Sequence, residues 1–139
     1  MRTFGGDEGS GSDRLTVLDS TFLVDLSRSR EEAARTLRDL VGRGRPLRVP
    51  TSVLMEVAAG TPDPEEAARA IAESFLIESF DEEAAVIAAR IGHDLLRTGR
   101  FPGWIDIVIA STALRYGEEL VSRNERHFRR VATLQLVTY

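Results

Sequence analysis

Five short apolar segments recur along the chain, and most of them are separated by stretches with helical periodicity. The segments read, in order, RLTVLD, PLRVP, FLIESF, EELVS and LQLVTY. Continuous apolar runs of this length are typical of strands buried on both faces of a parallel sheet. Strands that alternate with helices place those helices on the two faces of the sheet. The sequence therefore predicts an α/β fold, a three-layer α/β/α sandwich with a central, mainly parallel sheet.

The length of the chain allows one domain. It has 139 residues, of which 42% are hydrophobic, enough for a single core. The segment MRTFGGDEGSGSD is rich in Gly, Ser and Asp, so we expect a flexible tail over residues 1–13 and one domain over residues 14–139. Neither a membrane-spanning run nor a secretory signal is visible, and there is no cysteine, which together predict a cytoplasmic protein without a membrane span.

The basic residues are all arginine, and they are unevenly distributed. A net charge of −4 argues against nonspecific coating of nucleic acid, but it leaves room for a local site. Four arginines crowd into residues 123–130, beside a single glutamate. Guanidinium groups suit bidentate contacts with phosphate, so this segment is either a phosphate-binding surface or a solvated face.

Three polar residues follow predicted strands, and a fourth starts the most apolar of the predicted helices. Asp19 directly follows the first strand, and Glu56 lies in the helix after the second. Asp106 lies near the start of the apolar helix WIDIVIASTALRYG, and Asn124 lies just past the fourth strand. Ligand crevices in such sheets lie beyond the carboxyl ends of the strands, so the four residues can converge.

Clustered carboxylates predict a hard divalent cation. Three carboxylates close together repel one another unless a cation neutralises them. Oxygen ligands suit Mg²⁺ or Mn²⁺, whereas a chain without cysteine and with two histidines disfavours zinc. A carboxylate-bound Mg²⁺ can activate water for attack on a phosphodiester. For Asp106 taken alone, the alternative is an N-cap of its helix.

The motifs VLDSTFLVDL, TSVLMEVAAG, WIDIVIASTAL and LVSRNERHF occur in the order and approximate spacing of the acidic motifs of PIN-domain ribonucleases. From about residue 15 to residue 139 the chain resembles that family, and its compact length resembles the VapC toxins of toxin–antitoxin pairs. The resemblance implies that Asp19, Glu56 and Asp106 hold Mg²⁺ or Mn²⁺ and that Thr21 and Asn124 assist them. Asn124 stands where many members carry a fourth acid, which puts a second tightly held ion in doubt.

The resemblance also implies an activity and its partners. It implies a metal-dependent endoribonuclease that hydrolyses RNA, a homodimer, and a small cognate antitoxin that blocks the site. One alternative is a non-catalytic PIN-like module that binds RNA or protein, which Asn124 favours and the three intact acids oppose. Another is a phosphatase with Asp19 as nucleophile, but such enzymes typically carry a second Asp where Thr21 stands.

Three further polar residues receive a structural interpretation. Asp25 lies six positions after Asp19, and an Asp near a helix start is typically a cap or a surface charge that at most borders a site. His93 and His127 lie among polar neighbours with no spacing that resembles a ligand pair, which predicts two surface residues.

Overall fold

The structure is a computed structural model that describes residues 15–139, so the flexible tail predicted over residues 1–13 lies outside the described residues. Strands and helices alternate along the described part, and each of the five apolar segments forms the strand that was predicted. The strands are β1 Thr16–Leu18, β2 Leu47–Pro50, β3 Leu76–Glu78, β4 Glu119–Val121 and β5 Leu136–Val137. The helices are α1 Ser20–Ser27, α2 Glu31–Gly42, α3 Thr51–Ala59, α4 Pro64–Ser74, α5 Glu82–Arg97, α6 Trp104–Arg115 and α7 Glu125–Phe128.

The five strands form one parallel sheet in the order β3-β2-β1-β4-β5. The chain runs outward from β1 through β2 to β3 and then crosses to β4, on the opposite side of β1. Strands β1 and β4 are therefore the neighbours from which the chain departs in opposite directions, the switch point at which parallel sheets bind ligands. Helices flank this sheet, and the predicted three-layer α/β/α architecture is confirmed.

The register between β1 and β4 sets the position of the site. Leu18 pairs with Val121, so Asp19 and Ser122 are the next residues along the two strands. The backbone N–H of Asp19 donates to the carbonyl oxygen of Val121 at 3.1 Å, which continues the strand pairing by one residue. The side chains that follow the two strands are thereby brought together, although they lie far apart in the sequence.

The core fixes this edge of the sheet. Helix α6 is buried on most sides, as its apolar sequence predicted, and it packs along α5. Gly92 permits this packing, because a Cβ atom there would lie 2.6 Å from the ring of Trp104. Fully buried side chains around the central strands include Val17, Leu18, Phe22, Ile107, Leu120 and Val121. No helix within residues 15–139 is both long enough and apolar enough to cross a membrane.

Candidate active site

Asp19 is a buried carboxylate at the carboxyl end of β1. Its exposed fraction is 2%, so it needs hydrogen-bond donors to offset the loss of water. Ser122 Oγ donates to Asp19 Oδ2 at 2.5 Å, and Thr21 Oγ1 donates to the same oxygen at 3.0 Å. Ser20 Oγ makes a longer contact of 3.4 Å with Oδ1. Two hydroxyl groups therefore fix one carboxylate oxygen, and the other oxygen has a single weak partner.

Asp106 lies in the first turn of α6, near enough to Asp19 for the two charges to interact. Its side chain is 20% exposed. Burial raises the pKa of Asp106, the hydrogen bond and charge of His127 oppose that rise, and the negative charge of Asp19 adds to it. The negative charges of Asp19 and Asp106 therefore repel each other at this end of the sheet. Such a like-charge pair is stabilised by a cation placed between or beside its members.

His127 lies at the surface, as predicted, with its side chain 37% exposed, but it also contacts Asp106 directly. Nδ1 of His127 lies 2.7 Å from Oδ2 of Asp106 and 3.2 Å from Nδ2 of Asn124. The backbone N–H of Asn124 in turn donates to Ser122 Oγ at 2.8 Å. A chain of polar contacts thus runs from Asp19 through Ser122, Asn124 and His127 to Asp106. The sequence held one signal for this, because His127 lies three residues after Asn124 and so on the same side of a short helix.

Thr21 and Glu56 border a cavity beside Asp19. Thr21 also accepts a hydrogen bond from the backbone N–H of Arg123 at 3.3 Å, which ties the start of α1 to the segment after β4. Glu56 lies on α3 and is exposed. The cavity has a volume of about 180 Å³ and is lined by Ser20, Thr21, Val24, Glu56, Val57 and Arg123. Glu56 therefore borders the space next to the first acid.

The donor set fits a hard divalent cation in part. Asp19 and Asp106 offer carboxylate oxygens, the ligands that Mg²⁺ and Mn²⁺ prefer, and their mutual repulsion is of the kind that such an ion relieves. Within residues 15–139, however, no group of three or more His, Cys, Asp or Glu side chains is arranged as it stands to hold a metal ion. A metal site that also includes Glu56 stays a prediction, as do the assisting roles of Thr21 and Asn124.

Asp25 is buried, and the prediction of a cap or surface charge is wrong. Its side chain is 1% exposed. Arg123 donates to its two oxygens, from Nε at 2.9 Å and from Nη2 at 3.3 Å, and the hydroxyl of Tyr139 donates to it at 2.7 Å. The local sequence gives a weak signal, since Asp25 stands on the otherwise apolar stretch FLVDL. Its partners are identifiable only in three dimensions.

Comparison with models of protein families identifies the family of this chain. The model of the PIN domain matches residues 16–134, which is most of the chain. The chain therefore belongs to the PIN domain family, as the four sequence motifs predicted.

Individual relatives match this chain over most of its length. Ribonuclease VapC19 of Mycobacterium tuberculosis is 29% identical over 122 residues, a match that covers 87% of this chain and 98% of that protein. The VapBC2 structure from Rickettsia felis, bound to a DNA fragment from its promoter, contains a chain with a TM-score of 0.78 and 21% identity, covering 90% of this chain and 98% of that one. A VapBC-1 chain from nontypeable Haemophilus influenzae has a TM-score of 0.76 and 22% identity, in a match that covers 89% of this chain and 97% of that one. These solved structures share the fold of this chain.

Proposed function

We propose that the chain is a divalent-metal-dependent endoribonuclease of the VapC type, the toxin of a toxin–antitoxin pair. One observation carries the proposal: two carboxylates, Asp19 and Asp106, are linked by one chain of polar contacts at the switch point of a PIN-domain sheet. A relative named as a ribonuclease matches over 98% of its length, so the comparison extends to the whole of that protein.

The residues of the site have distinct parts in this proposal. Asp19, Glu56 and Asp106 hold the cation, Mg²⁺ or Mn²⁺. When bound, such an ion lowers the pKa of a bound water and neutralises charge on the phosphate. Ser122 and Thr21 hold one oxygen of Asp19, which leaves the other oxygen for a ligand. His127 holds one oxygen of Asp106 in the same way, by donating from Nδ1, and Asn124 assists from a position beside the same ring nitrogen.

The partners in the proposal are RNA, a cognate antitoxin and a second copy of the chain. Two of the similar solved structures are named as VapBC complexes, in which a VapC-type chain is assembled with VapB. We propose that this chain forms a homodimer and is inhibited by a small antitoxin of its own.

A second candidate, a non-catalytic PIN-like binding module, has one specific observation in its favour. Asn124 replaces a possible fourth carboxylate, and the amide is engaged with His127. The site thus has one charge fewer for holding metal. Asp19 and Asp106 argue against this candidate, since a pair of partly buried carboxylates is costly to keep without a role.

The test is cleavage of RNA by purified protein. Wild type, Asp106→Asn and a control variant, Asp94→Asn, are purified in parallel and incubated with end-labelled RNA in Mg²⁺, in Mn²⁺ and in EDTA. Asp94 is an exposed acid on α5 that pairs with Arg90, so its variant controls for the loss of one negative charge. We expect metal-dependent cleavage by wild type and Asp94→Asn alone. Uncleaved RNA with wild type in every buffer would exclude the nuclease and favour the binding module, and equal metal-dependent cleavage by wild type and Asp106→Asn would remove Asp106 from the site.

A further inference from the structure

Arg123 lies between two residues of the candidate site and borders its cavity. It stands between Ser122, which bonds to Asp19, and Asn124, which contacts His127. Its side chain lines the cavity of about 180 Å³ together with Thr21 and Glu56. A positively charged group therefore lines the same cavity as the acid Glu56 and the Asp19-bonded Thr21.

Asp25 and Tyr139 hold the guanidinium of Arg123 in place. Burial acts to raise the pKa of Asp25, but hydrogen bonds from Tyr139 and Arg123 outweigh burial and bring that pKa below its usual value. Burial and the neighbouring Asp25 raise the pKa of Tyr139 to about 12. Asp25 is therefore ionised and Tyr139 is a hydrogen-bond donor at neutral pH, and both are satisfied by their contacts with each other and with Arg123.

The charges around Asp25 leave a net positive group at the surface. Arg30 Nε also lies 3.7 Å from the Asp25 carboxylate, so two guanidinium groups share one buried anion. Arg123 uses Nε and Nη2 to bind Asp25, whereas the other edge of its planar fork is not used in that contact. The Arg123 side chain is 54% exposed. The N–H groups that do not bind Asp25 can therefore donate to a phosphate while the bonded edge stays fixed.

Fixing the guanidinium beforehand favours binding. A long side chain loses conformational entropy when a ligand immobilises it, and this loss is smaller when the side chain is already held. The neighbouring arginines are held differently. Arg129 pairs with Glu125 one turn earlier on α7, and Arg130 donates to the carbonyl oxygen of Arg100. Arg123 is the arginine of this segment that lines the cavity beside Glu56.

We propose that Arg123 binds a phosphate of the RNA backbone in this cavity, beside the carboxylates, and that Asp25 and Tyr139 are positioning residues that act through it. The inference rests on the proposed nuclease function and goes beyond it, because it assigns the first contact of the substrate to a residue outside the acidic set. The ligand is a phosphodiester of single-stranded RNA, recognised by charge and by the planar donor edge.

Binding is tested without catalysis, so that the two proposals can fail separately. A fluorescent 2′-O-methyl RNA oligonucleotide is titrated in EDTA at salt concentrations from about 25 to about 200 mM, and its dissociation constant is measured by anisotropy. Loss of one phosphate contact lowers the slope of log K against log salt by about 0.7 for a single strand. We expect this change in Arg123→Ala and an unchanged slope in the control variant Arg129→Ala.

Two outcomes separate the inference from the proposed function. If wild type cleaves RNA but Arg123→Ala retains the wild-type slope and affinity, the assignment of Arg123 is wrong and the nuclease stands. If Arg123→Ala shows the reduced slope while wild type does not cleave RNA, the phosphate site stands and the nuclease is wrong.

The positioning roles are tested by a double-mutant cycle. Asp25→Asn keeps the size of the side chain and removes its charge, and Tyr139→Phe removes one donor while the Asp25–Arg123 pair remains. Each variant is measured alone and combined with Arg123→Ala, and melting curves identify the folded variants. If Asp25 and Tyr139 act through Arg123, each substitution weakens RNA binding when it is made alone. In the Arg123→Ala background the same substitution has no further effect. Additive losses would overturn the positioning role, and if Asp25→Asn does not fold, the Tyr139→Phe cycle decides the matter.

Discussion

Nδ1 of His127 lies 2.7 Å from Oδ2 of Asp106, a contact that joins the first turn of α6 to the short helix α7. The contact completes a path of polar groups from one acid of the site to the other, through Ser122 and Asn124. Asp19 and Asp106 therefore share one set of neighbouring residues. Substitution of one of these neighbours is expected to affect the position of both carboxylates.

Replacement of Asp106 with Asn tests whether Asp106 is a metal ligand. The alternative of an N-cap is wrong, because Gly103 is the N-cap of α6 and no side chain caps the helix, whereas Asp106 lies within its first turn. If Asp106 is a metal ligand, the Asp106→Asn variant should remain folded. Its free energy of unfolding in EDTA should be no lower than that of wild type, because the substitution relieves repulsion from Asp19. Millimolar Mn²⁺ should raise the melting temperature of wild type but raise that of the variant much less. Identical shifts in wild type, Asp106→Asn and the Asp94→Asn control would contradict the metal site.

His127 should affect metal affinity through the orientation of Asp106. Residues that orient metal ligands typically contribute about 10–100-fold to metal affinity or activity. We expect His127→Ala to need about tenfold more Mn²⁺ or Mg²⁺ for half-maximal thermal stabilisation and for RNA cleavage. His93→Ala is the matched control, since His93 is exposed on α5. If the two alanine variants need the same metal concentration as wild type, the contact with Asp106 has no functional part.

Ser122 should contribute to folding through its bond to a buried carboxylate. Ser122→Ala removes a 2.5 Å donor to Asp19 and also the acceptor of the Asn124 backbone N–H. Leaving a buried polar group unsatisfied costs about 1–3 kcal/mol, and more for a charged one. Urea unfolding in EDTA should therefore show a loss of about 2 kcal/mol or more. Ser27→Ala, at an exposed serine, should change the free energy of unfolding by less than about 0.5 kcal/mol. Equal urea midpoints for Ser122→Ala and Ser27→Ala would contradict a stabilising role for the hydrogen bond from Ser122 to Asp19.

Glu78 and Glu118 form a second buried acidic pair, away from the candidate site. Both side chains are almost fully buried, and the Arg48 guanidinium lies 3.5 Å from one carboxylate and 3.6 Å from the other. Burial, together with the neighbouring Glu78 carboxyl group, raises the pKa of Glu118 to about 9. Burial also raises the pKa of Glu78. At neutral pH the pair therefore retains a proton that the unfolded chain has already lost.

This pair predicts a stability that falls as the pH rises. A carboxyl group whose pKa is raised on folding binds more protons in the folded state, so its contribution is complete at low pH and is lost as the pH approaches about 9. The free energy of unfolding of wild type should decrease between about pH 5 and pH 9, and Glu118→Gln should decrease less. Glu119→Gln is the control, since Glu119 is paired with Arg45 at 2.6 Å and accepts a hydrogen bond from Thr16. The same pH slope in wild type and Glu118→Gln would show that the pair does not share a proton.

Local sequence patterns were enough to predict the strands and the position of Asp19, Glu56 and Asp106 relative to them. The five apolar runs became the five strands, and the residues that follow them, Asp19 and Asn124 among them, lie beyond strand ends as predicted. These features are local, because apolar periodicity and chain-breaking residues act over a few neighbouring positions. The family membership was likewise predicted from motifs that are continuous in the chain.

The contacts between polar groups that are distant in the sequence depend on how the strands and helices pack. Asp25 was predicted as a surface charge, yet its partners Arg123 and Tyr139 lie 98 and 114 positions away. His127 was predicted as a surface residue and contacts an acid 21 positions earlier. These contacts exist because β4 pairs with β1 in a register that sets Val121 opposite Leu18. That pairing reflects the burial of two whole strands, so no pattern near Asp25 or His127 could have predicted it.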